Sequence, residues 1–281
     1  MGWLQKNKSE DLGQIQNYSR ITAEITPRLF ATVRDAITDL NAHTKTPVAF
    51  VLQVGDMVEG LCWTEELATR QNQEALAFVR NAKLGAPFFF TKGNHDMTGD
   101  GATEAYKNVF YPFLSEQTAG FKGGGNLQKA FYAIEHGAAL FCCFDAYDND
   151  SLDWLDATTA KRTARHCFVV IRPPAVPYGA RATWYLYNGD KEKARRGKIL
   201  SLLGRQNVYV VGGHIHKFNT IVRETSDNGK FAQLGISSII NELDVQPMNL
   251  LAGAEKLAER NKPLLKKLTA LRKYLQKLVA K

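Results

Sequence analysis

Apolar residues recur along the chain in two rhythms, and the alternation between them outlines an α/β fold. From Tyr18 to Asn41, Ile21, Ile25, Leu29, Phe30, Val33, Ile37 and Leu40 return every three or four positions, which predicts an amphipathic helix. Pro27 must kink that helix or mark its true start. A short apolar run at 48–54 predicts a strand, a helical pattern covers 65–81, and a second run at 87–91 predicts another strand. Such β-α-β order implies neighbouring parallel strands. Residues 99–129 read as loop and short helix, with Gly123-Gly124-Gly125-Asn126 as a flexible point. Runs at 130–135 and 138–145 flank His136-Gly137 and predict a hairpin. A helix near 151–165, a strand at 167–171 ended by Pro173-Pro174, a helix near 190–204 and a strand at 208–211 follow. Strands near 217–224 and 230–239 enclose the turn Ser226-Asp227-Asn228-Gly229. The count gives two sheets with helices outside both.

Three of these strands run into glycine-flanked clusters of metal-ligand residue types. The first leads to Val54-Gly55-Asp56-Met57-Val58-Glu59-Gly60, the second to Gly93-Asn94-His95-Asp96, and the strand at 208–211 to Gly212-Gly213-His214-Ile215-His216. Carboxyl ends of strands in open α/β sheets are where ligands bind. A carboxylate such as Asp56 can bridge two cations, Asn94 offers a neutral carbonyl, and His214 and His216 alternate along an extended backbone.

These three blocks, in this order, resemble the calcineurin-like metallophosphoesterase superfamily over roughly residues 1–245. The resemblance implies a two-sheet β-sandwich flanked by helices, with metals at the strand ends. It implies hydrolysis of phosphate esters by a water that two divalent ions activate, with Mn, Fe, Zn and Mg all fitting the donor types. In that reading Asp56, Asn94, His214 and His216 are metal ligands. His95 serves the leaving oxygen, and Glu59 holds its tautomer. Two family blocks are absent or altered. The first, Asp-x-His, should end a strand just before Met1-Gly2-Trp3-Leu4, so the chain is expected to lack its first strand. In the fourth, a ligand histidine before proline is replaced by Arg172 in Ile171-Arg172-Pro173-Pro174, while His166 stands at the other end of that strand. Arg172 places a permanent cation where a ligand belongs. It disfavours metal and can attract phosphate, and with Asn94 it forms the candidate substrate-binding pair. Two functions follow: a metal-dependent phosphoesterase impaired by missing ligands, or a degenerate phosphate-binding or scaffold protein. The phosphorylated substrate is not specified. Tyr178, Trp184, Tyr185 and Tyr187 either wall it or pack the core.

Composition changes the picture at one end. The 281 residues carry a net charge of +8, but nine Lys/Arg against Glu255 and Glu259 put +7 of it in residues 255–281. The nearly neutral body gives no case for a nucleic-acid partner. Residues 246–281 are expected to form a basic amphipathic tail, striped by Leu257, Leu264, Leu268, Leu271, Leu275 and Leu278 and interrupted by Pro263. It would pack on its own domain, meet a partner helix or lie on an anionic membrane surface. Cys62, Cys142, Cys143 and Cys167 match no zinc spacing and read as buried thiols. With no apolar leader at the start, a cytoplasmic location is expected, a leader upstream staying open.

Overall fold

The computed structural model describes residues 22–178 and 184–238, together with Lys262, Lys266, Thr269 and Lys273, which are helical. The leucine stripe of the tail lies outside the described residues. Among the described residues, helices α1 (Thr26–His43), α2 (Glu65–Ala82), α3 (Ala102–Thr118), α4 (Ser151–Ala160) and α5 (Lys193–Arg205) accompany nine strands. These are β1 (Val51–Gln53), β2 (Phe88–Phe90), β3 (Lys122–Asn126), β4 (Phe131–His136), β5 (Ala139–Cys143), β6 (His166–Ile171), β7 (Tyr209–Gly212), β8 (Asn219–Glu224) and β9 (Lys230–Gly235).

Pro27 stands in the first turn of α1, where proline loses no bond the helix would make, and the helical residues 22–24 before it are set off by a turn at Ile25. Thr64 caps α2 by accepting a hydrogen bond from the Leu67 N–H, and Glu65 and Glu66 add negative charge to the first turn.

The strands form two sheets of unequal size. β1 and β2 pair in parallel, Val51 opposite Phe88. The other seven form a mixed sheet in the order β3-β4-β5-β6-β7-β9-β8, with β5, β6, β7 and β9 parallel. Alternation along the strands splits the core in two. Cys142, Val169, Ile171 and Val210 face Leu155, Ile199, Leu202 and Leu203 of α4 and α5. Cys143, Val170 and Val211 share the other half with β2, where Phe90 packs against Phe110 and Phe113 of α3 and Phe89, on the opposite face, against Phe50 and Phe121. The two-stranded sheet therefore lies between the large sheet and the helices. Tyr132 ties the sheets together, its hydroxyl donating to the Phe90 carbonyl at 2.8 Å and accepting from the Phe90 N–H at 3.2 Å.

Residues 99–129 correct the expectation. A 17-residue helix stands where loop and short helix were expected, and the glycine run is an edge strand paired with β4. In α3 the buried positions Ala102, Ala105, Tyr106, Val109, Phe110, Phe113 and Leu114 keep helical spacing through Pro112.

Phe90 is fully buried, with its ring 5.2 Å from Phe110. Phe90→Ala is expected to destabilise the fold by about 3–5 kcal/mol, read from the midpoint of denaturant unfolding.

Candidate functional site

The two clusters that follow β1 and β2 are fastened together by a buried carboxylate. Asp96 is fully buried and accepts four main-chain N–H bonds. Its Oδ2 takes Asp56 at 3.1 Å and Gly93 at 2.8 Å, and its Oδ1 takes Met57 at 2.8 Å and Val58 at 3.3 Å. Burial and the neighbouring Asp56 carboxylate push Asp96 up to about 7, and the N–H bonds from Gly93, Val58 and Met57 oppose that rise. Asp56 sits in left-handed backbone at φ 53°. A Cβ on Gly93 would lie 2.0 Å from Asp56 Oδ1 and 2.4 Å from its nitrogen, so only glycine lets the two loops meet there. The His95 N–H in turn donates to Asp56 Oδ1 at 3.1 Å.

The ends of β6 and β7 bring the remaining charges. The Gly213 N–H donates to the Arg172 carbonyl at 3.0 Å. A Cβ on Gly213 would stand 2.5 Å from Arg172 Nη1, so the His-x-His loop packs directly on the guanidinium. Arg172 is 5% exposed. Its Nη2 pairs with Asp56 Oδ2 and lies 3.4 Å from His216 Nε2. Residues 56, 94, 95, 172 and 216 thus stand together although they span 160 residues. The expected substrate-binding arginine is closed onto two of the expected metal ligands.

His95 is held differently from the family expectation. Its Nδ1 is 2.8 Å from the main-chain carbonyl of Glu59 and 3.9 Å from the Glu59 carboxylate. A carbonyl only accepts, so Nδ1 carries hydrogen and Nε2 is the nitrogen that can exchange a proton. The Glu59 side chain is a second, longer partner.

Asn94 Oδ1 is buried without a hydrogen-bond partner among the described residues. His214 and His216 stand in left-handed backbone at φ 66° and 53°, not on the extended backbone expected, and the His214 ring is 5.3 Å from Trp184. Tyr178 and Trp184 are exposed, whereas Tyr187 is buried beneath Arg195 and Tyr185 stacks under Arg196. Of the two alternatives for these aromatics, Tyr187 takes core packing, while Trp184 stands beside His214. His166 starts β6, against Tyr209, as its position implied. All four cysteines are free and buried.

Three residues beside the site carried no expectation. Lys92 and Asp145 form a buried ion pair directly before Gly93 and after β5. Burial raises Asp145, and Lys92 opposes it. Tyr147 is also raised, chiefly by desolvation and next by the Asp56 carboxylate, while Arg172 opposes. The signal was present: Asp145-Ala146-Tyr147-Asp148 is a polar cluster after the apolar run 139–144.

A two-ion centre would have to draw its donors out of these contacts. One Asp56 oxygen faces a guanidinium and the other a main-chain N–H, and His216 Nε2 faces the same guanidinium. No group of three His, Cys, Asp or Glu able to hold a metal ion occurs among the described residues. The unpartnered Asn94 oxygen is the feature that suits a cation. The donor set as arranged does not fit two ions.

Among solved structures, the chain is similar to a dimetal phosphatase from Danio rerio, at 16% identity and TM-score 0.49, covering 75% of this chain and 78% of that one. It is similar to a purple acid phosphatase from yellow lupin (Lupinus luteus) seeds, at 16% identity and TM-score 0.47, covering 74% and 39%. The structure of PhoD matches at 13% identity and TM-score 0.51, covering 75% and 54%, a likeness of fold. The chain thus spans well under two thirds of the last two. No curated protein sequence matches it. The calcineurin-like phosphoesterase family model matches residues 15–218, which contain every block described above. The chain belongs to the calcineurin-like phosphoesterase family.

Proposed function

We propose that this chain is a phosphate-ester hydrolase of low turnover, in which Arg172 and Asn94 engage the oxyanion and His95 exchanges a proton at the leaving oxygen. Family membership supports the reaction class. Divalent ions are what that membership suggests. The observation that carries the reading of low turnover is Arg172 closed between Asp56 and His216. While that ion pair stands, Asp56 cannot offer Oδ2 to an ion, and the guanidinium already faces a carboxylate. His95 keeps its function in this arrangement, because the Glu59 carbonyl fixes its ring and leaves Nε2 for the ester oxygen.

The second reading, a phosphate-binding protein without hydrolysis, rests on the same closure. One assay separates the two. Hydrolysis of 4-nitrophenyl phosphate and bis(4-nitrophenyl) phosphate is followed with Mn²⁺, Zn²⁺ or Mg²⁺ supplied. Slow turnover is expected, and His95→Ala should reduce it about 100-fold or more. Equal turnover in the His95 variant would remove the proposed proton donor. No turnover in the native chain under any of the three ions would favour the binding protein.

A further inference from the structure

We propose that Arg172 is a resident cation, standing where one divalent ion of a two-ion centre would stand and doing its electrostatic work on a phosphate group. The inference rests on the phosphate-ester reading of this site, and it concerns how the site is charged, not whether it turns over.

A divalent ion at strand ends neutralises a carboxylate, accepts an imidazole nitrogen and draws a phosphoryl oxygen. Arg172 meets the first two demands in the structure. Its Nη2 lies on Asp56 Oδ2 and 3.4 Å from His216 Nε2. A guanidinium keeps its charge at any working pH, and its planar donors match phosphate oxygens. The position is built, not a surface accident. Arg172 and Asp56 side chains are 6% and 13% exposed. Glycines line the arginine on two sides: a Cβ on Gly55 would stand 3.0 Å from Arg172 Cδ, and one on Gly213 2.5 Å from Nη1. Larger residues at either position would push the guanidinium off Asp56.

Nη2 serves the first two demands, and the other guanidinium nitrogens are left for the third. Arg172 Nε is buried and has no hydrogen-bond partner among the described residues. A buried N–H left unpaired is costly, and an anion oxygen would satisfy it. The ligand class this predicts is a tetrahedral phosphate or phosphate monoester, bound without metal.

The full chain is equilibrated with Mn²⁺ or Zn²⁺, desalted and analysed for bound metal. Inorganic phosphate binding is measured separately by calorimetry in chelator. The native chain should retain less than one ion per molecule and bind phosphate in chelator. Arg172→His, which frees Asp56 and His216 and adds an imidazole, should gain an ion and lose phosphate affinity in chelator by about tenfold or more. Arg172→Met gives the same phosphate readout without a new ligand if the histidine variant folds poorly. Two tightly held ions in the native chain, or metal-free phosphate binding unchanged by Arg172→Met, would overturn the proposal. Neither readout uses turnover. Loss of the hydrolase reading in the nitrophenyl assay would leave this proposal standing.

Discussion

Asp96→Asn is expected to lower the stability of the fold by about 3–5 kcal/mol, although it changes neither side-chain volume nor any apolar contact. The reason lies in the count of acceptors. Each Asp96 oxygen serves two main-chain N–H groups, from Asp56 and Gly93 on one side and from Met57 and Val58 on the other. An asparagine side chain has one oxygen and one NH₂. Whichever way it turns, one pair of buried donors faces another donor, and each orphaned group costs about 1–3 kcal/mol. For a chain of this size the loss corresponds to a fall in Tm of roughly 10 °C, measured by calorimetry or circular dichroism. The loops it fastens carry Asp56 and His95, so the same substitution should weaken phosphate binding. A loss below about 1 kcal/mol would mean that the loops hold their shape through other contacts.

That role was only half legible in the sequence. Gly93-Asn94-His95-Asp96 stood out as a cluster of site chemistry after a strand, and the structure places it there. Nothing in the tetrapeptide says that its last residue turns inward to gather N–H groups from a loop some 40 residues upstream. The strands were readable wherever side chains alternate or run apolar, as at Phe88–Phe90 and His166–Ile171, because burial on both faces leaves that mark. β3 was not readable. Its Lys-Gly-Gly-Gly-Asn carries no side-chain pattern, and its strand form is imposed by pairing with β4. α3 carried a clear buried stripe that Pro112 and the flanking glycines masked. For the site, residue types and strand ends showed which groups would meet. They did not show whether Arg172 would point at substrate or at Asp56, since that depends on the glycines packed against its side chain.

The Asp56–Arg172 pair should show itself in a double-mutant cycle. Asp56→Asn is the appropriate first change. Asparagine tolerates the left-handed backbone at φ 53° and keeps an acceptor for the His95 N–H, so the substitution removes mainly charge. It leaves Arg172 buried without its counter-ion, and breaking a buried pair in this way costs about 3–5 kcal/mol. Arg172→Met keeps the aliphatic stem and strands the Asp56 carboxylate at similar cost, about 3 kcal/mol or more. In the double variant no uncompensated charge remains. Its loss is expected to fall short of the sum of the single losses by about 1–3 kcal/mol. Urea unfolding of the four proteins gives the coupling directly. A value near zero would show that the guanidinium does not depend on Asp56, and the resident cation would lose the contact that holds it in place. A large coupling together with metal gain in Arg172→His would mean that one pair of side chains sets both the stability of the strand ends and the charge they present to a phosphate group.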